Sequence, residues 1–325
     1  MKFRTELNPI SFPEKMEHGQ KVLLIGSCFT EHMGIFLQES GFDIRQNPHG
    51  ILFNPLSIRQ AINDYCQHRQ YQNEDLLLYK ELFHSWNHHS RFSKPNAEDS
   101  LKAINNELDQ GAAFLKDAQW IMITLGSAFV YYLADSDKAV ANCHKFPAQT
   151  FYKKMLNPSQ SAQCLNEIVD LIRVQNPSAR IVFTVSPVRH AREGLIENNR
   201  SKASLLYAVH EMTEQHEHVY YFPSYELIMD DLRDYRFFME DMVHPNRQAT
   251  EYVWSYFKNA FFTKETSALA DQISKLMISI RHKSFNPSTI AHKLFLEDLK
   301  MKIKQVQATY PSLSLPEEMR LFMEK

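Results

Sequence analysis

The sequence predicts an α/β fold of three layers, in which helices cover both faces of a mostly parallel, five-stranded sheet and further helices are appended at the C-terminus. Short, solid apolar runs alternate with helical patterns up to about residue 262, as is typical of parallel strands buried on both faces. After residue 263 no strand follows, and two long helical patterns are rich in Lys and Leu. We therefore predict one domain over 1–262 and a helical extension over 263–325 that is suited to packing or self-association.

The first half of the domain contains three of the predicted strands. Val22–Ile25 is a buried strand, followed by a helix over Glu31–Glu39 that ends at Gly41. A second strand, Phe42–Gln46, leads into a loop with the sequence Asn-Pro-His-Gly. The next predicted elements are helices over Ile58–Tyr65 and 99–115 and a strand over Trp120–Leu125.

The second half continues the alternation after a predicted hairpin. Phe129–Leu133 and Ala139–Cys143 flank Asp135-Ser136-Asp137 and are the two strands of this hairpin. The remaining strands of the domain are predicted over Arg180–Val185 and Val219–Phe222. The remaining helices are predicted over Gln163–Arg173, Ser201–Gln215, Gln248–Phe262, Ser267–Ile280 and Ser288–Ala308.

Composition narrows the functional classes. The 325 residues are 44% hydrophobic, which is enough for a full core, and the net charge of -2 gives no attraction to nucleic acid or anionic membrane. No apolar run approaches the ~20 residues that span a bilayer. The four cysteines form no CxxC pair, and no glycine-rich nucleotide-binding motif is present, so we expect no metal and no cofactor. The start of the chain has no secretory apolar segment, so a cytoplasmic location is expected.

Two short segments together suggest catalysis. Ser27 and Cys28 follow the first strand and precede a helix, while Asp241 lies three residues before His244 in a later loop. A nucleophile, a carboxylate and an imidazole in this order fit the logic of a Ser-His-Asp triad. Two other interpretations stay open. Ser27 could simply cap the helix with Cys28 filling the core, or Cys28 could be the nucleophile, its thiolate favoured by the helix N-terminus.

Histidine and arginine residues could line a substrate pocket. His84, His88 and His89 are close in sequence, but no third metal ligand accompanies them, so we expect pocket lining or structural hydrogen bonding. Arg189 follows the strand over Arg180–Val185 and could bind an anionic group of the substrate. A solvated basic loop would explain Arg189 equally well.

Several separated motifs carry a family resemblance. They are 24–30 (LIGSCFT), 47–55 (NPHGILFNP), 124–126 (TLG), 142–145 (NCHK), 186–189 (SPVR) and 241–245 (DMVHP). With them the chain resembles the GSCFA-domain family, which is related to the SGNH/GDSL hydrolase superfamily. Thr30 stands where the motif that names the family has Ala.

The resemblance implies a fold and a set of roles. The sheet should be flavodoxin-like, in the order 2-1-3-4-5, with Ser27 as nucleophile and Asp241 and His244 completing the triad. The oxyanion hole would use the N–H groups of Ser27 and Gly50. The superfamily's third oxyanion donor is an Asn, but Ala128 stands at that position, so we predict that Asn142 replaces it.

The expected function is therefore that of an esterase. It would remove a small acyl group, such as acetyl, from a carbohydrate or another polar alcohol; this substrate class comes from the resemblance alone. An acyltransferase that uses the same triad is one alternative. A non-catalytic binding or scaffold protein is another, since the third oxyanion donor is missing.

Overall fold

A five-stranded parallel sheet lies at the centre of the computed structural model, which describes residues 4–311 and 313–324. Its strands are β1 (Lys21–Gly26), β2 (Asp43–Gln46), β5 (Trp120–Leu125), β9 (Arg180–Val185) and β10 (Val219–Tyr221). The order across the sheet is β2-β1-β5-β9-β10, and every pairing is parallel. Counted along these five strands, this is the order 2-1-3-4-5, as the family resemblance implied. All five core strands were predicted from their apolar runs.

Helices cover both faces of this sheet. They are α1 (Phe29–Glu39), α2 (Pro55–Cys66), α3 (Ala97–Asp117), α4 (Pro158–Gln175), α5 (Leu195–Gln215), α6 (Ser224–Glu226, continued by a π-helical turn over Leu227–Leu232) and α7 (Arg247–Phe261). Leu23 and Ile25 of β1 pack with α2 to α5, whereas Val22 and Leu24 pack with α1, α6 and α7. Because successive residues of a strand point to opposite faces, this alternation shows that the sheet is buried on both sides.

Two small antiparallel sheets lie outside the core. β3 (Leu76–Tyr79) and β4 (Leu82–Ser85) form a hairpin, and β6 (Phe129–Leu133) lies between β7 (Ala139–Val140) and β8 (Phe151–Met155). The predicted hairpin is therefore present in part, but its second strand ends at Val140 and does not reach Cys143. β3, β4 and β8 were not predicted: β3 is a four-residue apolar run that lies outside the core sheet, while β4 and β8 mix polar and apolar residues.

The C-terminal region is helical, as predicted. It contains α8 (Lys264–Arg281), α9 (Ile290–Thr309) and a short helix that was not predicted, α10 (Glu317–Glu324). These helices bury an apolar cluster of their own around Ile273, Ile303 and Met319. Self-association through them stays a prediction. In the part of the chain that the structure describes, each helix is too short or too polar to cross a membrane.

Candidate functional site

The head of α1 is built on a close approach of two strands. Gly26 ends β1 with a φ of +142°, and a Cβ there would lie 2.1 Å from the carbonyl oxygen of Thr124. Only glycine fits such a contact and such a backbone conformation. The Gly26 N–H donates to Asn47 Oδ1 at 2.9 Å, which ties the loop after β2 to the same point. Ser27 and Cys28 are therefore held at the carboxyl edge of the sheet, where ligands of such sheets bind.

Ser27 is the predicted nucleophile, but its side chain is covered. The residue is 1% exposed, and its Oγ has no hydrogen-bond partner among the described residues. Its N–H donates to the Thr124 carbonyl at 3.0 Å and is not free for an oxyanion, which corrects that part of the prediction. Ser27 does not cap α1 either, because Cys28 occupies the N-cap position and no side chain accepts a hydrogen bond there.

Cys28 is more accessible than Ser27. It is partly exposed at the N-terminus of the 11-residue helix α1. Burial and the Glu31 carboxylate raise the pKa of its thiol, while the Lys202 amine and the backbone N–H groups of Cys28 and Phe29 act in the opposite direction. Opposing charges thus surround this thiol.

A buried lysine lies beneath the head of α1. Lys202 of α5 is 1% exposed, and its amine donates to the carbonyls of Gly126 and Ser186, both at 2.6 Å. These residues directly follow β5 and β9, so the amine lies at the same edge of the sheet as Ser27. Burial lowers the pKa of Lys202 to about 7. The burial of Lys202 was not predicted, since a lysine in a helical pattern normally faces solvent.

Asp241 and His244 form the expected pair. Asp241 Oδ2 lies 2.6 Å from His244 Nδ1, and Oδ1 accepts the N–H groups of Val243 and His244 at 2.9 and 3.0 Å. These hydrogen bonds, first that from the His244 backbone, lower the pKa of Asp241 to about 2. A carboxylate on Nδ1 leaves Nε2 as the basic nitrogen of a neutral imidazole. The pair is half-exposed, as a base that meets substrate must be.

Arg189 holds the loop of this pair in place. Its N–H donates to Val243 O at 3.3 Å, and its Nη1 donates to Met242 O at 2.9 Å. The guanidinium lies over the ring of Phe238, 4.0 Å from the centroid. Because Arg189 follows β9 by four residues, these contacts fix the Asp241–His244 loop to the carboxyl edge of the sheet. A cavity of about 430 Å³ opens beside Arg189 and leaves room for the predicted contact with substrate.

The base and the head of α1 are neighbours without being in contact. The pKa of His32 in α1 is lowered mainly by burial, while the charge of Glu31 raises it and the charge of His244 lowers it, so His244 lies within electrostatic range of the first turns of α1. In the described part of the chain no hydrogen bond joins His244 to Ser27, and the predicted contact between them is not formed. His32 was not predicted, although its spacing of four residues from Cys28 places both on one face of α1.

The predicted oxyanion donors need correction as well. The Gly50 N–H donates to Asn47 O at 2.7 Å and is already used. Gly50 is required here for another reason: its φ is +79°, and a Cβ would lie 2.2 Å from His89 Cβ. Asn142 Oδ1 accepts the His144 N–H at 2.9 Å, and none of the hydrogen bonds described for Asn142 reaches the head of α1.

The histidines near residue 85 are mostly structural. His84 pairs with Ser93 Oγ at 2.7 Å and with Tyr79 O at 3.1 Å. His88 pairs with Ser85 Oγ at 2.9 Å and stacks on His49 with ring centroids 4.5 Å apart. Both are buried and hydrogen-bonded within the protein, which agrees with the structural alternative of the prediction and leaves neither side chain open to solvent.

His89 alone of the three predicted histidines is half-exposed. The charge of Glu31 acts on it, which places it beside the first turn of α1. Within residues 4–311 and 313–324, no group of three His, Cys, Asp or Glu side chains is arranged to hold a metal ion.

The fold and the groups at the carboxyl edge of its sheet define the class to which the protein belongs. It is a flavodoxin-like α/β protein with an Asp-His pair beside the head of its first helix. The sequence model of the GSCFA family matches residues 21–257, and that of the GSCFA domain protein, C-terminal domain, matches residues 273–325. The chain belongs to the GSCFA family. A comparison with curated protein sequences finds no match.

Solved structures with a related fold include three esterases. A carbohydrate esterase family 3 from Talaromyces cellulolyticus is 10% identical, with a TM-score of 0.37 over 78% of this chain and 99% of the other. A family 3 carbohydrate esterase of Clostridium thermocellum is 12% identical, with a TM-score of 0.34 over 77% of this chain and 98% of the other. An acetyl xylan esterase of Butyrivibrio proteoclasticus is 12% identical, with a TM-score of 0.37 over 80% of this chain and 65% of the other. At these TM-scores the likeness carries no argument about chemistry.

Proposed function

We propose that this protein is a hydrolase of carboxylic esters, acting on a small acyl group, such as acetyl, carried by a carbohydrate or another polar alcohol. The observation that carries the proposal is the contact of 2.6 Å between Asp241 Oδ2 and His244 Nδ1, held beside the head of α1. An imidazole oriented by a carboxylate is the base that acyl transfer requires. The substrate class rests on the resemblance to the SGNH/GDSL hydrolases.

Each group has a defined task in the reaction. His244 Nε2 accepts the proton of the nucleophile, while Asp241 fixes the ring and stabilises the imidazolium that forms. The nucleophile attacks the ester carbonyl, and His244 then returns the proton to the departing alcohol. Water attacks the acyl-enzyme in the same way and releases the acid. The resemblance assigns the nucleophile to Ser27, whose Oγ must become uncovered before it can act in this proposal.

Acetate release from p-nitrophenyl acetate and acetylated xylo-oligosaccharides tests the proposal. His244→Ala should lower kcat/KM by about 10²- to 10⁴-fold, the usual contribution of a general base. The matched control is His218→Ala. His218 is likewise exposed and paired with a carboxylate, Glu14, at 3.2 Å, but it precedes β10 and so lies at the opposite edge of the sheet. Its removal should leave turnover unchanged.

Three outcomes separate the functions. Acetate released in water, with dependence on His244, supports hydrolysis. Acetyl found on an added alcohol, with little free acetate, would support the alternative of an acyltransferase. No turnover of any ester, or equal loss in the His244 and His218 variants, would contradict catalysis by this pair and favour a binding role.

A further inference from the structure

Accessibility distinguishes the two candidate nucleophiles at the head of α1. Ser27 Oγ is buried and has no hydrogen-bond partner in residues 4–311 and 313–324. A Cβ added to Gly126 would lie 3.1 Å from Ser27 Cβ, so the serine side chain packs towards the strand behind it. Cys28 is the next residue and is partly exposed. An ester carbonyl that approaches from solvent therefore meets the thiol before it could meet the hydroxyl.

The backbone around Cys28 is suited to a negative charge. Cys28 begins an 11-residue helix, and the N–H groups of Cys28 and Phe29 act on its sulfur. In contrast to the N–H of Ser27, that of Cys28 makes no hydrogen bond to another described residue. Free N–H groups at a helix N-terminus can stabilise an oxyanion, so Cys28 could supply both the attacking atom and one oxyanion donor.

Lys202 has a donor to spare at this point. A charged amine carries three N–H donors, but among the described residues only the carbonyls of Gly126 and Ser186 accept from it. The charge of Lys202 lowers the pKa of the Cys28 thiol. It also lowers the pKa of His190, for which burial is the main cause. Glu31 of α1 is the opposing charge that faces the thiol. Burial is the largest influence on the thiol and raises its pKa, the Glu31 carboxylate adds to this effect, and a charged Lys202 opposes it.

We propose that Cys28, not Ser27, is the nucleophile, and that Lys202 is the buried positioning group beneath it, which stabilises the thiolate while its amine is protonated. This inference rests on the proposed ester hydrolase and assigns its reactive atom. The sulfur attacks the acyl carbon, the C–O bond to the alcohol breaks, and the alcohol leaves with the proton that His244 took from the thiol. Water then cleaves the thioester, giving the carboxylic acid and the free thiol.

Trapping of the acyl-enzyme tests the assignment of the nucleophile. Protein is mixed with p-nitrophenyl acetate, quenched in acid and mapped by peptide mass spectrometry. We expect acetyl on Cys28 in the wild type and in Ser27→Ala, removable by neutral hydroxylamine as a thioester is. Cys28→Ala should lose turnover, whereas Cys66→Ser, a change at another half-buried cysteine, should not. Acetyl on Ser27, or full turnover by Cys28→Ala, would overturn the inference.

Alkylation by iodoacetamide tests the role of Lys202 without any ester. The rate at Cys28 is measured from pH 6 to 10 in the wild type and two variants. At pH 6, where Lys202 with its pKa of about 7 is mostly protonated, Lys202→Met should slow alkylation about three- to tenfold, because a thiolate loses a nearby positive charge. The difference should shrink towards pH 9, where the amine of the wild type is neutral. Glu31→Gln should speed alkylation, and since Glu31 is not buried this variant needs no core rearrangement.

The two experiments fail in distinguishable ways. If the wild type turns over no ester, the proposed hydrolase is wrong, and the alkylation profile alone decides whether Cys28 and Lys202 form a reactive thiol centre. If Lys202→Met folds and its Cys28 is alkylated at the wild-type rate at pH 6, the inference about Lys202 is overturned even when esterase activity is present. If Lys202→Met does not fold, the pH profile of the wild type decides: the alkylation rate should rise less steeply near pH 7, where Lys202 loses its proton, and a profile that fits one ionisation throughout would overturn the inference.

Discussion

Replacement of the buried Lys202 by Met should change how the stability of the protein depends on pH. Burial lowers the pKa of Lys202 from its usual 10.5 to about 7. Between these two values the unfolded chain holds a proton that the folded protein has released. Stability therefore rises with pH across this window and is lost again as the pH falls towards 7.

The magnitude follows from the size of the shift. From pH 7 to pH 9 this one group should add about 2 kcal/mol to the free energy of unfolding, since each pH unit at full difference in bound protons is worth about 1.4 kcal/mol. Methionine has no such contribution. Its substitution also leaves the carbonyls of Gly126 and Ser186 without a donor, at a cost of about 1–3 kcal/mol each that does not vary with pH.

Urea unfolding at pH 7 and pH 9 measures both effects. The difference in free energy of unfolding between the wild type and Lys202→Met should be about 2 kcal/mol larger at pH 9 than at pH 7. Lys116→Met, a change at an exposed lysine of α3, is the control and should show no such widening. An equal difference at both pH values would refute the reasoning that Lys202 is buried with a lowered pKa.

Three further changes should have separable effects. Asp241→Asn should lower kcat/KM by about 10²- to 10⁴-fold with little change in melting temperature, because the base His244 loses its orientation but the protein loses no core contact. In the wild type, the pH profile of kcat/KM should show no ionisation of the Asp241 carboxylate above about pH 3, since its pKa is about 2. Gly26→Ala should destabilise the protein by more than about 3 kcal/mol in urea unfolding, since the new Cβ would overlap the Thr124 carbonyl. Tyr71→Phe should cost about 1–3 kcal/mol by thermal melting, because the buried Asp64 loses a hydrogen bond of 2.8 Å.

The sequence was sufficient for the core of the fold. β5 and β9 were predicted to their exact bounds because parallel strands buried on both faces are short, solid apolar runs. The contact between Asp241 and His244 was also predictable, since their spacing of three residues within one turn brings the side chains together locally. Helix ends were less well defined: α5 begins at Leu195 and not at Ser201, because Leu195 and Ile196 are exposed and the polar residues after them continue no apolar face.

Features that depend on long-range packing could not be read from the sequence. His84 and His88 have the polarity of pocket residues, and only their contacts in the fold, such as the stacking of His88 on His49, show that they are buried. Gly50 resembled an oxyanion donor, but its N–H is used by the turn in which it lies. Lys202 is drawn into the core by two carbonyls that lie 76 and 16 residues away in sequence, and no local pattern reports such a contact.

The central claim is that the Asp241–His244 pair and the head of α1 act as one catalytic centre. A double-mutant cycle on kcat/KM for acetyl ester hydrolysis, with His244→Ala, Cys28→Ala and both together, tests it most directly. Residues that act as a unit are strongly non-additive, so the double variant should be no slower than the slower single variant. If the two losses multiply in the double variant, or if neither single change slows the reaction, the account of a single centre is contradicted.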